Sequence, residues 1–525
     1  PRQLRGVAKV LAGGTRDRSA YLVYPPGFGK TDPAILSAVK LTQLGLARRT
    51  LIAVPKQVCA QWQARFLALF PGLADEVLCC DDPVYGIAGY KLAATAGYSP
   101  REAFLASMAA PGWRYLIISH EMLREIPLSE TTFKSLLDEE LGELRECLRD
   151  AEEVGSKEGS KGAKRSLRAR EAALQDMQAK HEAKWATLRD RDRAPVSWED
   201  LGIDLFISDE FHAFKALGIS TKMENVAGMP SGESQRAYDT FCKVQAVVRA
   251  GGRIGSLSGT PLTNTIAEAY IWQKILQPNL LRHLQIAHFD AWAQVFCEPF
   301  PSVELTCTGT YRTVTRLRYK NMPELIAILS ECWDFVRELP DENLPQLHGG
   351  AVQVISTPAT PELRAYTRAL AERADLCRAR KVDPKDDNLL KITSDGRQAA
   401  LFNGPPSSTW PAHRITKVDA LAKNVWRHYC DSDARSGAQL VFIDLFTPKS
   451  SEGDEDYIIP KLTDEERWLQ TGVYGVIKAK LVARGIAPDE IAFAHDYQTP
   501  KLRARLHAGI RSGAVRVCIG STALI

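Results

Sequence analysis

The stretch Pro25-Pro26-Gly27-Phe28-Gly29-Lys30-Thr31 follows a short apolar run and precedes a segment compatible with a helix. This order is typical of a phosphate-binding loop in an α/β fold. Backbone N–H groups near Gly27 and Gly29 would wrap the β-phosphate, because glycine lets the backbone approach a ligand closely. Lys30 would reach the β- and γ-phosphate oxygens, and the Thr31 hydroxyl would bind Mg²⁺. The stretch therefore predicts a site for ATP and Mg²⁺.

The match to this loop rests on its Gly-x-Gly-Lys-Thr end, since Tyr24 stands where the strict pattern has a glycine. A glycine-rich turn without a ligand is the alternative for this segment taken alone.

Apolar runs alternate with helix-length segments around the loop, which predicts βαβ units with buried parallel strands. We therefore predict an α/β fold with a first lobe over residues 1–275. Its predicted strands are Tyr21–Tyr24, Leu51–Val54, Tyr115–Ile118, Ile203–Ser208 and Arg253–Ser258.

Residues 131–193 interrupt this alternation with a highly charged stretch. Apolar residues from Leu137 to Leu148 are spaced by steps of four and three, which is a heptad pattern. A Gly/Ser/Lys-rich turn at 155–162 separates them from a second helical stretch. We predict an antiparallel helical hairpin inserted in the first lobe. Whether it is a solvated spacer or an arm that contacts DNA or a partner stays open.

The second half of the sequence resumes the alternation. We predict a helical connector over residues 276–350 and a second α/β lobe over 351–525. The predicted strands of this lobe are Val352–Ile355, Leu440–Ile443, Ile491–Phe493 and Val515–Ile519. Segments 379–415 and 447–463 are rich in Asp, Pro, Gly and Ser and predict long loops.

Bulk properties bound the class of protein. A length of 525 residues predicts two or three cores, and a net charge of +4 requires any nucleic-acid contact to come from local patches. No apolar run reaches the roughly 20 residues that span a bilayer, so we expect neither a membrane segment nor a signal peptide. The cysteines are scattered, and Cys79-Cys80 has no second pair at zinc-binding spacing. We expect reduced thiols, no zinc and a cytoplasmic location.

A second polar element, Asp209-Glu210-Phe211-His212, stands at the end of a predicted strand. Ligands of open α/β sheets bind at this edge. Two adjacent carboxylates suit ATP hydrolysis: Asp209 would hold the Mg²⁺ shell, and Glu210 would orient and deprotonate the attacking water. His212 is a further catalytic candidate, beside Lys30, Asp209 and Glu210. An acidic helix cap exposed to solvent is the alternative for such a tetrapeptide in isolation.

A third element, Ser258-Gly259-Thr260-Pro261-Leu262-Thr263-Asn264, again follows an apolar strand. The hydroxyls of Ser258 and Thr260 are candidates to hydrogen-bond His212 and to couple the state of the γ-phosphate to movement of the lobes. A Gly-Thr-Pro turn without such a role is the alternative.

With the phosphate loop, the acidic box and the Gly-Thr-Pro turn in this order, the chain resembles the superfamily 2 helicase-like ATPases (DEAD/DEAH-type), most closely their SNF2-type branch. The resemblance covers essentially the whole chain. It implies two RecA-like lobes with parallel sheets flanked by helices, ATP hydrolysis in the cleft between them, and translocation on double-stranded DNA. Contacts to the DNA backbone, without sequence preference, are implied.

The resemblance also implies roles for single residues. Gln3, in Gln3-Leu4-Arg5-Gly6-Val7, matches the glutamine that reads adenine. Two segments of the first lobe and one of the second match motifs that touch DNA. The implied DNA-contacting residues are Pro55, Lys56, Gln61, His120, Ser521 and Thr522.

Shorter segments make the chain similar to the large helicase–methylase polypeptides of phages and conjugative elements, including antirestriction proteins. These segments include Leu201–Asp204, Phe214-Lys215, Gly228-Met229-Pro230, Ser234–Ala237 and Asp395–Arg397. The charged hairpin is also typical of that group. The similarity implies a bacterial host cell, allows a phage origin, and suggests a methylase domain or partner, although this chain has no methylase motif.

In these relatives the second lobe continues past the equivalent of Gly520-Ser521-Thr522 to a motif whose arginines reach the γ-phosphate, whereas this sequence ends at Ile525. We therefore expect feeble hydrolysis from the chain as given. Two other hypotheses stay open: a nucleotide-gated scaffold that binds DNA or a partner, and an RNA-directed DExH helicase.

Overall fold

The computed structural model describes residues 2–13, 16–90, 99–153, 160–189, 196–223, 226, 234–263, 265–305, 311–336, 350–379, 381–407, 411, 413–432, 437–447, 464–522 and 524. Residues 155–159 of the predicted hairpin turn, Gly228-Met229-Pro230 and residues 448–463 of a predicted loop lie outside these ranges. The chain divides into two units: unit 1 is Pro1–Glu304 with Thr313–Pro345, and unit 2 is Leu305–Arg312 with Gln346–Ile525.

The strands are β1 (Ser19–Val23), β2 (Thr50–Val54), β3 (Val77–Cys79), β4 (Tyr115–Ser119), β5 (Leu205–Ser208), β6 (Arg253–Ser258), β7 (Cys297–Leu305), β8 (Tyr311–Tyr319), β9 (Trp333–Phe335), β10 (Gln439–Phe442), β11 (Ile491–Phe493) and β12 (Val517–Gly520). The helices are α1 (Arg2–Ala12), α2 (Thr31–Gln43), α3 (Cys59–Leu69), α4 (Pro100–Met108), α5 (His120–Glu125), α6 (Glu130–Glu153), α7 (Ser160–Arg189), α8 (Gln235–Arg249), α9 (Ala267–Leu276), α10 (Pro278–His283), α11 (Phe289–Phe296), α12 (Met322–Cys332), α13 (Pro361–Arg378), α14 (Leu389–Phe402), α15 (Lys417–Asp431), α16 (Asp464–Val482) and α17 (Pro500–Ser512).

The sheet of unit 1 has seven strands in the order β3-β4-β2-β5-β6-β1-β9, and every described pairing is parallel. Strands β1, β2, β4 and β5 are buried along their whole length. Helices cover both faces of such a sheet, which is why these strands are almost continuously apolar. Tyr21 in β1 packs edge-on against Phe211, Trp272 and Trp333 in this core. The predicted α/β class, with parallel strands flanked by helices, is confirmed.

Helices α6 and α7 form the inserted hairpin and run antiparallel. Phe133 stacks on His181 near one end of the pair, and Arg145 approaches Glu171 nearer the other. A buried ion cluster joins the hairpin to the rest of unit 1. Glu140 lies 2.9 Å from Arg170 of α7 and 2.5 Å from Lys274 of α9. Because a buried charge is costly without partners, this cluster fixes the hairpin against α9.

Unit 2 contains a parallel three-stranded sheet in the order β10-β12-β11. The strand predicted at Val352–Ile355 is wrong, because this segment is irregular, its apolar side chains are exposed, and no strand pairs with it among the described residues. The loop predicted over 379–415 is wrong in part, because it contains α14, which begins where the Asn388 side chain caps the helix.

The predicted helical connector over residues 276–350 is only partly helical. Residues predicted as a helical connector also contain β7 and β8, which pair with each other and carry the alternating pattern Thr313-Val314-Thr315. Within the described ranges, no helix combines the length and apolar character that crossing a bilayer requires.

Candidate nucleotide-binding site

Three polar loops meet at the carboxyl edge of unit 1's sheet. Strands β5, β6 and β1 are neighbours, with Val23 paired to Ser258 and Ser208 paired to Ser256. The phosphate loop follows β1, the Ser258 turn follows β6, and the acidic box follows β5. Since all three strands are parallel, their loops leave the sheet on the same side. The fold thus brings together three elements that begin at Pro25, Asp209 and Ser258 in the sequence.

The phosphate loop has the backbone shape that its glycines permit. Gly27 and Gly29 have φ angles of 83° and 81°, which residues with a Cβ atom rarely adopt. The Tyr24 N–H donates to the Ser258 carbonyl over 3.1 Å, and the Phe28 N–H donates to the Pro25 carbonyl over 3.2 Å. Helix α2 begins directly after the loop, so its first N–H groups add to the positive end of the site.

Lys30 folds back over its own loop. Its Nζ donates to the Tyr24 carbonyl over 3.3 Å. This is a long hydrogen bond to a neutral acceptor, which a phosphate oxygen would replace with a stronger, charge-assisted one. The position of Lys30 is therefore compatible with the predicted phosphate contact.

Gln3 lies directly against the phosphate loop. A Cβ atom built on Gly29 would come within 2.7 Å of the Gln3 Nε2. Helix α1 is held there by Arg5, whose guanidinium lies 2.5 Å from the carboxylate of Asp334 in β9, and Tyr24 donates a hydrogen bond to the same carboxylate. Asp334 has no motif around it, so no sequence pattern singles it out. Reading of adenine by Gln3 stays a prediction.

The acidic box is held in a specific backbone conformation. The Asp209 N–H donates to the Ala53 carbonyl over 2.9 Å, which extends the pairing of β5 with β2 by one residue. Glu210 has a φ of 47° and its N–H donates to the Asp209 carboxylate over 2.9 Å. A left-handed glutamate is uncommon and is retained where the surroundings enforce it. The turn Phe211–Phe214, buried through its two phenylalanines, supplies that enforcement.

The two carboxylates have different electrostatic surroundings. Burial raises the pKa of Asp209, with a further contribution from the neighbouring Glu210, while Lys30 opposes the shift. His212 lowers the pKa of Glu210, and Lys30 acts in the same direction. Glu210 is therefore ionised at neutral pH, as a base that takes a proton from water must be. Lys30 acts on both carboxylates, as expected where the phosphate loop and the acidic box leave one edge of the same sheet.

His212 connects the acidic box to the Ser258 turn. Its Nδ1 lies 3.2 Å from the Glu210 carboxylate and 3.0 Å from the Ser258 hydroxyl. That hydroxyl also accepts a hydrogen bond from the Thr260 N–H over 3.1 Å. Thr260 therefore joins this network through its backbone, while its side chain is exposed. The Ser258 turn also packs on the phosphate loop, because a Cβ atom built on Gly259 would lie 3.1 Å from Pro26.

His120 is buried beneath the acidic box. Its Nε2 lies 3.0 Å from the Asp209 carbonyl oxygen, which fixes Nε2 as the protonated nitrogen of the neutral ring. Burial lowers the pKa of His120 to about 4. The sequence predicted a DNA contact for His120, which stays a prediction. The structure also shows that His120 holds the backbone of Asp209 in place, a contact that no sequence pattern indicates.

The other predicted DNA-contacting residues of unit 1 lie at the same sheet edge, after β2. Pro55 precedes a short 3-10 turn, and Lys56 and Gln61 are exposed. The Lys56 Nζ lies 3.7 Å from a carboxylate oxygen of Glu121, which follows the adjacent strand β4. This weak, exposed ion pair leaves Lys56 able to turn toward another anion.

In unit 2 the predicted DNA-contacting residues follow β12. Ser521 is buried and Thr522 is exposed. The Thr522 N–H and hydroxyl each donate to the Asp444 carboxylate over 2.8 Å. These bonds lower the pKa of Asp444. Asp444 follows β10, the strand next to β12, so both loops leave one edge of this sheet.

The donor set beside the phosphate loop fits Mg²⁺. Thr31 offers a hydroxyl and Asp209 a carboxylate, the oxygen ligands that Mg²⁺ prefers together with water and phosphate. The raised pKa of Asp209 shows a buried carboxylate whose negative charge is incompletely compensated. A bound dication would supply that compensation.

Comparison with known proteins identifies a family and a similar solved structure. A family model described as "Probable helicase domain" matches residues 24–337, which include the phosphate loop, the acidic box and the Ser258 turn. The SWI2/SNF2 ATPase core of Sulfolobus solfataricus, solved in complex with double-stranded DNA, is 13% identical. The similarity covers 99% of this chain and 77% of that chain, with a TM-score of 0.32. No curated protein matches this sequence.

Proposed function

The chain belongs to the probable helicase domain family, and from this premise we propose that it is an ATP-hydrolysing motor that translocates along double-stranded DNA. One observation carries the proposal: the neighbouring parallel strands β1, β6 and β5 bring the phosphate loop, the Ser258 turn and the acidic box to one edge of the sheet. A glycine-rich loop that ends in a lysine, at the same sheet edge as two adjacent carboxylates, is the arrangement that hydrolysis of a nucleoside triphosphate needs.

Each residue of the site has one task in this proposal. The N–H groups at Gly27 and Gly29 hold the β-phosphate, and Lys30 neutralises the β- and γ-oxygens. Thr31 and Asp209 hold the Mg²⁺ that bridges these oxygens. Glu210, ionised at neutral pH, accepts a proton from the attacking water. Gln3, which lies against Gly29, contacts the adenine.

Coupling between ATP and movement runs through His212. Because its Nδ1 is within hydrogen-bond distance of both Glu210 and Ser258, a change of charge at Glu210 alters the preferred partner of the ring. The Ser258 turn packs on the phosphate loop, so both loops respond to the same phosphate. His212 thus reports the presence of the γ-phosphate to the Ser258 turn.

Lys56, Gln61 and Thr522 are exposed groups that donate hydrogen bonds, a type of side chain that binds phosphates of a DNA backbone. Such contacts carry no sequence information, which is what a translocating protein requires. Their affinity falls as salt rises, because counterions compete for the phosphates.

The proposal is tested by the rate of ATP hydrolysis with duplex DNA, single-stranded DNA, RNA or no polymer. We expect the largest stimulation from duplex DNA. Lys30→Ala is expected to abolish the stimulated rate. Lys40→Ala is the matched control. Lys40 is an exposed lysine in the last turn of α2, the helix that follows the phosphate loop, so its loss should leave the rate unchanged.

Two results would replace the proposal. ATP binding without turnover under any polymer would favour the nucleotide-gated scaffold. Stimulation by RNA and not by duplex DNA would favour an RNA-directed helicase.

A further inference from the structure

A cluster of two thiols and a carboxylate lies outside the nucleotide site, at the other end of the sheet edge. Cys59 is the first residue of α3, and Cys80 and Asp81 follow β3. The two Sγ atoms and a carboxylate oxygen of Asp81 all lie within 4.8 Å of one another. Among the residues that the structure describes, this is the cluster in which three His, Cys, Asp or Glu side chains lie close enough to share a metal ion.

The spacing of these atoms fits a tetrahedral ion. Zn–S bonds of about 2.3 Å and Zn–O bonds of about 2.1 Å place the ligand atoms of a tetrahedral site roughly 3.5–3.8 Å apart. The three atoms need to move little to reach this geometry. Cys59 and Cys80 are buried, while Asp81 is exposed, so an ion can enter from the carboxylate side.

The contacts of the thiols within the protein are weak. The Cys59 Sγ lies 3.7 Å from the Pro55 carbonyl, and the Cys80 Sγ lies 3.9 Å from the Asp81 carboxylate. Thiols are weak donors, so these contacts stabilise the side chains little. A metal ion bound beside a cysteine lowers the pKa of its thiol. Thiolates are the ligands that zinc selects.

We propose that Cys59, Cys80 and Asp81 bind one Zn²⁺ ion, with a water molecule in the fourth position. Three protein ligands plus water is an established arrangement for zinc. The ion would link the start of α3 to the end of β3. It would therefore tie the segment Pro55–Val58, which carries Lys56 and precedes Cys59, to the end of β3, with β4 lying between β2 and β3. This inference goes beyond the proposed ATPase and does not depend on it.

The test is the metal content of the purified full chain, prepared without chelators, by mass spectrometry. We expect one zinc per chain. After zinc is removed and Co²⁺ added, thiolate-to-cobalt absorption should appear. Cys59→Ser and Cys80→Ser should each lose both signals. Cys242→Ser, a buried thiol of α8 in the same unit, should keep them.

Asp81→Asn keeps the test decisive if the serine variants fail to fold, because Asp81 is exposed. Even groups that only support a zinc ligand change affinity by about tenfold or more, so loss of a ligand should weaken zinc binding at least that much. Native chain without zinc and without cobalt–thiolate absorption would overturn the proposal. So would an equal loss of metal in Cys242→Ser, or native affinity in Asp81→Asn.

Discussion

The carboxyl edge of unit 1's sheet has two halves that are built differently. In the half formed by β1, β6 and β5, the loops contact one another. Tyr24 hydrogen-bonds Ser258, and Gly259 packs on Pro26. His212 lies within hydrogen-bond distance of both Glu210 and Ser258. In the half formed by β2 and β4, Lys56 and Gln61 are exposed, and the Lys56 Nζ makes a long, exposed ion pair with Glu121.

This difference follows from the chemistry proposed for each half. Hydrolysis depends on charges fixed before the reaction, because reorganising them would add to the barrier. Contact with a polymer backbone needs positive charge and reach, and tolerates motion. We therefore expect substitutions in the first half to cost orders of magnitude in turnover, and substitutions in the second half to cost small factors in affinity.

The largest expected effect comes from Glu210→Gln. The amide keeps the shape and can still contact His212, but it cannot accept the proton of the attacking water. Turnover should fall by about 10²–10⁴-fold, while ATP binding is kept. The matched control in the other half is Glu121→Gln, which should change turnover little. Equal effects of the two substitutions on single-turnover hydrolysis would erase the contrast between the halves.

His120 belongs to both halves of the sheet edge: it follows β4, and its ring hydrogen-bonds the backbone carbonyl of Asp209, which follows β5. Its pKa is about 4 in the fold against an ordinary 6.5, so the unfolded chain binds the proton more readily. The associated stability is present above pH 6.5 and is lost as the pH falls toward 4. Between about pH 7.5 and about pH 5 the loss should be about 2 kcal/mol.

His120→Gln should remove this part of the acid sensitivity, since its amide can donate to the Asp209 carbonyl without titrating. Denaturant unfolding of unit 1, followed at both pH values, measures the difference. His283→Gln, at an exposed position of α10, is the control and should behave like the native chain. An unchanged pH dependence in His120→Gln would show that the ring is not the sensitive group.

Ser258→Ala sharpens the comparison inside the first half. It removes a hydroxyl that contacts His212 and accepts from the Thr260 N–H. Loss of such bonds costs about 1 kcal/mol, so we expect about a fivefold drop in duplex-stimulated turnover and a smaller drop without DNA. The control is Ser256→Ala in the same strand, a buried hydroxyl with no hydrogen-bond partner among the described residues. A matching drop in Ser256→Ala would indicate a packing effect rather than coupling.

The smallest effect is expected from Lys56→Ala in the second half. Duplex affinity should fall only a few-fold, and the slope of log affinity against log salt should decrease by about one. Titration of labelled duplex over a range of salt concentrations measures both, with Lys40→Ala as control. If Lys56→Ala also lowered ATP turnover in the absence of DNA, Lys56 would contribute to hydrolysis and not only to DNA binding, which would contradict the contrast between the halves.

The sequence predicted those parts of the fold and the site whose signals are local. The runs Leu51–Val54 and Tyr115–Ile118 are strands, because a parallel strand covered on both faces must be apolar throughout. The phosphate loop and the acidic box are continuous motifs, and the parallel topology was enough to place them at one edge. Their roles in catalysis stay predictions.

Features that depend on tertiary structure were missed. Val352–Ile355 has the pattern of a strand, but none of the strands in the described ranges pairs with it, and periodicity cannot report whether a partner strand exists. Asp334, which anchors both Arg5 and Tyr24, sits in a three-residue strand too short to produce a pattern. The approach of Cys59 to Cys80 depends on the packing of α3 against β3. Metal-ligand spacing in the sequence gives no sign of it.

The central claim is that the phosphate loop and the acidic box hold a single Mg²⁺–ATP. The most direct measurement is a crystal structure of the chain with Mg²⁺ and a non-hydrolysable ATP analogue. We predict the β-phosphate against the N–H groups of Gly27 and Gly29, Lys30 on the β- and γ-oxygens, and Asp209 facing the metal ion. A nucleotide bound elsewhere, or a triphosphate whose metal ion is out of reach of both Asp209 and Glu210, would contradict the account.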